Sequence, residues 1–538
     1  MIYADNNLTV AETLRILFFE MQVKENVVSF QGFKIVLYLC VILCLILIYV
    51  KYFKRSRYHI ITSQLPTARG FPFLGIAYKL IPMKKFLYIL ESYFIKFKSW
   101  NYFAWIGPQP FLVTVDLDMI KEILTSNRFL DKSTTMYSAI DNAIPKGLIT
   151  SPGEKWKHNR KLMNSTFTHK TIIKFIPIFK DGAQALVERL NDNVGNGECE
   201  VFEIIKRTFL DMAMETTMGV GLYKGNDNHN EMIRGFNYML KQVANGAIFS
   251  TLKVGFLTYT PRYYKTKQLI KDYIETLIED KRKANDGTID SKNVNVKSEE
   301  VDIRKDADIF INRALNFQDQ SLFQHADVLN ETQTVIAGSF DTVSTQIYSI
   351  LIMLAMHPNI QQKLFEETEE IISVENMSIE YEQLKQFSYM DLVIKETLRL
   401  MPSIPIIGRE AVKDVTFNGI NVPKGMQVMI PIFILHRRTD LWGPLAHSFN
   451  PDNFLPENNC KRHPCAYIPF SKGSRNCIGW HYAEVVLRVM LLSLIRNFKF
   501  TTSFRYEDLI FSDHISLRYV EEPKLQICRR NEFLERIN

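Results

Sequence analysis

Cysteine is scarce in this chain. Seven are scattered over 538 residues, at Cys40, Cys44, Cys199, Cys460, Cys465, Cys477 and Cys528, which excludes a disulfide framework and fits a reducing compartment. No glycine-rich dinucleotide fingerprint is present, so the chain carries no nucleotide site of that kind. No compact basic module of a nucleic-acid binder occurs, and the net charge of +7 is a mild excess that fits a membrane surface or an acidic partner. There is no internal repeat, and strand-like runs are few and short.

The hydrophobic content is 46%, enough over this length for a large core. From about residue 76 onward helical patterns predominate, with strands expected at 111–115 and 427–430. Residues 327–356 read as one long helix ended by His357-Pro358, and the charged stretch 283–309 reads as an exposed connector. The expected fold is mainly α with a minor β region, in one large domain. Ahead of it, residues 35–50 carry no charge and, with Phe33, Tyr52 and Phe53, approach the ~20 residues a bilayer needs. Lys51, Lys54, Arg55 and Arg57 follow and belong on the cytosolic side. The division expected is a lumenal tail (1–32, with the sequon Asn7-Leu8-Thr9), a transmembrane anchor (33–53), a basic and Pro/Gly-rich hinge (54–75) and a cytosolic catalytic domain (76–538). A cleaved signal peptide fits less well, because the cations follow the apolar run and no A-x-A site is present.

The segment that carries chemistry is 470–479, which reads FSKGSRNCIG. It sets Cys477 on a glycine-punctuated loop before a long helical pattern. A cysteine thiolate is a strong axial ligand for haem iron. Gly473 and Gly479 would let backbone approach a flat macrocycle, and Arg475 offers a planar fork to a propionate. N–H groups at the start of the next helix would stabilise the sulfur's charge. Two plainer readings compete: a small buried hydrophobe, or a zinc site drawn from Cys460, His463, Cys465 and Cys477. Zinc is disfavoured by the two cations Lys461 and Arg462 and by the lack of a C-x-x-C pair.

Other segments agree with haem. Residues 389–400 read as a helix with Ser388 as N-cap and Pro402 at its end, and Glu396 and Arg399 lie at i,i+3. Trp156 and Arg160 share a helical face at i,i+4, and both can reach a propionate. In the long helix, Ala337-Gly338-Ser339-Phe340-Asp341-Thr342 combines small residues, a hydroxyl and an acid, a composition that permits a local opening.

The pattern F-x-x-G-x-R-x-C-x-G, with these segments, resembles the cytochrome P450 family over about residues 33–525, and most closely insect microsomal members related to fatty-acid ω-hydroxylases. That resemblance implies haem b (iron protoporphyrin IX) held by Cys477, with Phe470, Gly473, Arg475 and Gly479 around it. It also implies propionate contacts from Trp156, Arg160 and Arg409, and a structural pair Glu396/Arg399 behind the haem. In the family this pair is often joined by an arginine where Asn453 stands here, within Pro451-Asp452-Asn453-Phe454, a form that insect members show. Asp341 and Thr342 are implied as the catalytic pair, Asp341 relaying protons and Thr342 hydrogen-bonding where dioxygen binds. Gly338 stands where some fatty-acid hydroxylases carry a haem-attached glutamate, so that attachment is expected to be absent, and Phe340 is expected at or beside the substrate cavity. Implied partners are an NADPH–cytochrome P450 reductase steered by a basic face (Lys157, Lys161, Arg462, Lys472), membrane lipid near residues 233–263, molecular oxygen and an apolar substrate. The implied location is the endoplasmic reticulum membrane. The rival functions are a haem-thiolate isomerase or dehydratase, and a non-catalytic haem binder.

Overall fold

The computed structural model describes residues 34–46, 48, 58–71, 74–80, 85–144, 146–221, 227–285, 309–372, 380–513 and 515–530. The lumenal tail, its sequon and most of the expected connector lie outside these. Two units are resolved, 1–63 and 64–538. In the first, Lys34–Ile46 is an apolar helix with exposed side chains. Among the described residues the one helix long and apolar enough to cross a membrane is His325–Met356, and most of its apolar window is buried inside protein, which makes it a core helix.

The second unit is mainly helical. Its five-stranded sheet has the order β1-β2-β3-β6-β5, where β1 is Thr67–Ala68, β2 Asn101–Ile106, β3 Gln109–Thr114, β5 Ile406–Glu410 and β6 Gln427–Pro431. The expected strands at 111–115 and 427–430 are thus paired to each other, in parallel, with Leu112 opposite Val428. β1 comes from the segment expected as hinge and pairs with Phe103 and Ala104. A smaller sheet joins β4 (Glu198–Cys199), β10 (Leu525–Arg529) and β7 (Phe498–Thr501), and β8 (Phe511–Asp513) pairs with β9 (Leu517–Tyr519).

Seven helices position the site: α1 (Leu117–Thr125), α2 (Ser138–Ala143), α3 (Gly153–Asn164), α4 (Phe202–Met218), α5 (Asp227–Thr251), α6 (Pro261–Asn285) and α7 (His325–Met356). Two more, α8 (Ser388–Leu400) and α9 (Trp480–Asn497), flank the cysteine loop on either side in sequence. α7 is started by a capping box of Gln324 and Asp327, and ends at His357, before Pro358. It is buried nearly all round and packs against α4. α8 does not use Ser388 as its cap. The Glu367 carboxylate accepts the N–H groups of Tyr389 (2.6 Å) and Met390 (2.9 Å), a charged acceptor at a helix start that a reading of neighbouring residues does not reveal.

A buried carboxylate ties α7 to α3. Glu331 accepts from Asn159 Nδ2 (2.8 Å) and from the Leu148 N–H (2.9 Å). Burial pushes its carboxyl up to about 7, although both hydrogen bonds oppose the shift. Because the folded value lies above the unfolded one, this group's contribution is full below about pH 4.5 and is lost as pH rises through 7. Wild type is therefore expected to lose stability between pH 5 and 8, by up to ~3 kcal/mol, relative to Glu331→Gln. Thermal denaturation of both across that range checks it, and parallel curves would refute it.

Candidate active site

The cysteine loop is folded by its own backbone. The Cys477 N–H donates to Phe470 O (2.9 Å), Asn476 N–H to Gly473 O (3.1 Å) and Ser471 N–H to Ile468 O (2.9 Å). Ser471 and Gly473 both have positive φ, 61° and 74°. At Gly473 a Cβ would overlap the Leu124 carbonyl of α1. Gly473 therefore permits a tight turn and a close approach between chain segments, not the approach to a macrocycle expected from sequence. Gly479 lines the cavity, and nothing stands within 4 Å of where its Cβ would be. α9 begins at the next residue. Cys477 faces into a cavity of about 470 Å³. Burial raises its thiol, while the Gly479 N–H, Arg160 and Lys132 act in the opposite direction.

Cations crowd the same end of the cavity. Arg160 donates to the backbone carbonyl and side-chain oxygen of Asn476, both at 2.8 Å. Arg475 stacks on Trp156 (4.3 Å) and donates to the carbonyls of Leu130 (3.0 Å) and Ser151 (2.6 Å). Arg409 is fully buried but does not line the cavity. It lies behind the wall, 3.3 Å from the Ser471 hydroxyl and 3.0 Å from Gly408 O. Lys132, which sequence reasoning missed because no periodicity or spacing marks it, lines the cavity beside Tyr137 (3.4 Å). Burial, then Arg409 and Arg475, hold its amine well below the usual range. Against these four cations stands Asp131, 3.7 Å from Arg475. A cavity end with this excess of positive charge and a sulfur in its wall fits a planar dianion with a thiolate-binding metal, as haem is. The zinc alternative is not assembled: among the described residues no three metal-ligating side chains converge, Cys460 is exposed and Cys465 is buried.

The opposite chemistry lines α7, where Ala337, Gly338, Ser339, Asp341 and Thr342 face the cavity. The helix is unbroken there, contrary to the expected opening. The Thr342 hydroxyl back-bonds to Gly338 O (2.8 Å), and Ser403 Oγ lies 2.9 Å from both Thr342 O and Gln346 Oε1. Asp341 is ion-paired with Arg518 of β9 (2.5 Å) and accepts from Ser516 (2.5 Å). Burial pushes its carboxyl up, but Arg518, Lys206 and these hydrogen bonds outweigh it and hold Asp341 below the usual carboxylate range. Phe340 is fully buried outside the cavity, edge-on against Phe236, which does line it (5.8 Å between ring centres). The remaining wall is mainly apolar, with Phe111, Ile140, Leu148, Val243 and Ile406, and carries Lys267, Gln333 and Thr334 among its polar groups.

The protein-family model for cytochrome P450 matches residues 65–528. The chain belongs to the cytochrome P450 family. It is 32% identical to probable cytochrome P450 313a4 of Drosophila melanogaster over 499 residues (91% of this chain, 98% of the relative). Identity is 34% to probable cytochrome P450 313a3 of the same fly (88% and 96%) and 29% to cytochrome P450 4c21 of Blattella germanica (91% and 98%). Among solved structures, the cytochrome P450DA heme domain superposes with a TM-score of 0.72 at 18% identity, covering 87% of this chain and 98% of that one. The protein is accordingly a haem-binding P450 monooxygenase.

Behind the cysteine loop of this P450, Glu396 and Arg399 are fully buried and bidentate, 2.7 Å on each arm. Arg399 also donates to the carbonyls of His436 (2.9 Å), Ala446 (2.5 Å) and Ser448 (3.0 Å). Glu396 accepts from Asn450 N–H (2.8 Å) and Asn453 Nδ2 (3.1 Å), so Asn453 keeps its place in the network without a charge. Arg462 stands next to it instead, donating to Asn453 O and stacked on Trp442, the ring that Arg399 also covers. Removing one buried partner strands the other. Arg399→Leu is expected to cost about 3–5 kcal/mol, and Asn453→Ala about 1.5 kcal/mol, in denaturant unfolding. Equal costs would contradict the division of labour.

Proposed function

We propose that this cytochrome P450 is a microsomal, membrane-anchored enzyme that activates dioxygen with electrons from an NADPH–cytochrome P450 reductase and oxidises an apolar small molecule. The observation that carries this reading is the Cys477 sulfur facing an apolar cavity whose α7 wall presents Asp341 and Thr342. Haem, when bound, supplies the oxygen chemistry, and the protein supplies ligand, protons and shape. Cys477 would be the iron's ligand. Trp156, Arg160, Lys132 and Arg475 would take the propionates, with Arg409 adding its charge from behind Ser471. The apolar wall keeps bulk water away from the reacting end. Thr342 is positioned to offer its hydroxyl into the cavity once it leaves Gly338 O, and Asp341 to carry a proton once it turns from Arg518.

Membrane residence is supported by the apolar helix Lys34–Ile46 and, in the catalytic unit, by a patch of exposed side chains. Phe256 (67% exposed) and Leu257 follow α5, and Phe71 (58%) and Leu74 lie near β2. Leu74 O accepts from Gly107 N–H, and Gly107 abuts Leu252, which joins the two groups of residues. Reductase docking is supported by the exposed Lys161, next to Arg160 on α3, and by Lys472 of the cysteine loop, which donates to Pro464 O (3.2 Å), although Lys157 is paired with Glu154 (2.7 Å) and Arg462 is engaged on Trp442. The substrate reading is an apolar molecule with one acidic end. Lys267 of α6 lines the cavity at the α2 wall, donating to Asn142 O.

The carbon monoxide difference spectrum of reduced protein should show a strongly red-shifted Soret band in wild type and none in Cys477→Ser. Haem uptake without that band in wild type would sink the thiolate assignment. With reductase and NADPH, Asp341→Asn is expected to lower turnover about 100-fold at unchanged substrate affinity, and turnover independent of NADPH would favour an isomerase or dehydratase. Dodecanoate should bind more tightly than methyl dodecanoate, a preference that Lys267→Met should abolish.

A further inference from the structure

His436 is a fully buried imidazole at the C-cap of the short helix Ile432–Leu435, and it has contacts in two directions. Its backbone carbonyl receives Arg399 Nη1 at 2.9 Å. Its Nε2 accepts the N–H of Ile468 at 2.9 Å, also within the protein interior. Ile468 is where the cysteine loop is hung: Ser471 N–H returns to Ile468 O, and two residues on from Ile468 the Phe470 carbonyl takes the Cys477 N–H. The ring is clamped from one face by Tyr467 (5.3 Å between centres, nearly parallel), whose hydroxyl is fixed on the Lys395 carbonyl of α8 at 3.1 Å. An acceptor at Nε2 requires the neutral ring with its proton on Nδ1. Burial, then Arg399 and Arg437, hold the imidazole down to about 3. The ring therefore stays an acceptor throughout the physiological range.

We infer that His436 is a positioning residue that couples the buried Glu396–Arg399 pair to the thiolate loop, its carbonyl anchored by Arg399 and its Nε2 fixing the register at Ile468. The inference rests on the haem-thiolate reading only for its consequence at the sulfur, since the coupling itself is a property of the polypeptide. Without the Nε2 acceptor, the Ile468 N–H is buried and unpaired, and the segment 468–477 loses the contact that fixes its height against α8. A side chain with an acceptor at the same reach restores it: Gln places its Oε1 near the Nε2 position, whereas Asn falls short. The backbone carbonyl that holds Arg399 is the same in every variant.

The test uses the full, haem-loaded chain carrying His436→Phe, His436→Gln or His436→Asn, each compared at equal haem content. Two readouts are taken: the fraction of reduced haem giving the red-shifted carbon monoxide band, and hydrogen exchange over residues 466–477. The expected result is that His436→Phe lowers that fraction at least twofold and speeds exchange of the loop at least tenfold, while His436→Gln restores most of both. A residue that merely fills the core would lower stability and haem content without changing the fraction per haem, and that outcome overturns the inference. So does a Gln variant as damaged as the Phe variant. If His436→Phe does not fold, Gln against Asn decides, and equal loop exchange in those two overturns it. A wild type lacking the red-shifted band would instead condemn the haem-thiolate reading, while loop exchange would still judge the coupling.

Discussion

The buried bond between Glu396 and Arg399 is the constraint on which the rest of this P450 depends. A guanidinium and a carboxylate taken fully out of water must satisfy all their donors and acceptors or unfold the region around them. Arg399 does so by gathering the carbonyls of His436, Ala446 and Ser448, and Glu396 by taking Asn450 and Asn453. The pair thereby fixes the segment between β6 and the cysteine loop, a stretch of short helical turns joined by loops. Through His436 the constraint reaches Ile468, and through Phe470 it reaches Cys477.

A second electrostatic theme opposes the first. At Glu396–Arg399 the charges cancel locally, whereas Lys132, Arg160, Arg409 and Arg475 accumulate around Cys477 against Asp131. Such an accumulation costs stability in the polypeptide alone and is offset when an anionic group binds, so cofactor and fold are linked. On the far wall Asp341 is kept charged by Arg518 and Lys206 and bonded by Ser516. Asp341 and the groups that hold it come from segments about 175 residues apart in the chain.

Much of this was legible in the sequence because it rests on local pattern. The apolar period and the His357-Pro358 stop located α7, the i,i+3 spacing located Glu396 and Arg399, and the glycine-punctuated loop located Cys477. Three local readings failed for a common reason. Ser388 was outcompeted as a cap by Glu367, Gly473 serves the packing of α1, and the backbone around Thr342 keeps its helical form while the hydroxyl is taken up by the Gly338 carbonyl. In each, a distant or competing partner decided what the local residues do. Phe340 is a partial success: expected at or beside the cavity, it supports the wall from behind Phe236.

By itself the sequence determined the helical class, the loop that carries Cys477 and the Glu396–Arg399 ion pair, since short-range spacing and residue chemistry are enough for these. Only the tertiary structure decided which cations face Cys477, that Arg409 stands behind the wall, that Arg518 restrains Asp341 and that His436 holds Ile468. Those contacts join segments far apart in the chain, and no local period or motif encodes which distant groups will share one low-dielectric interior.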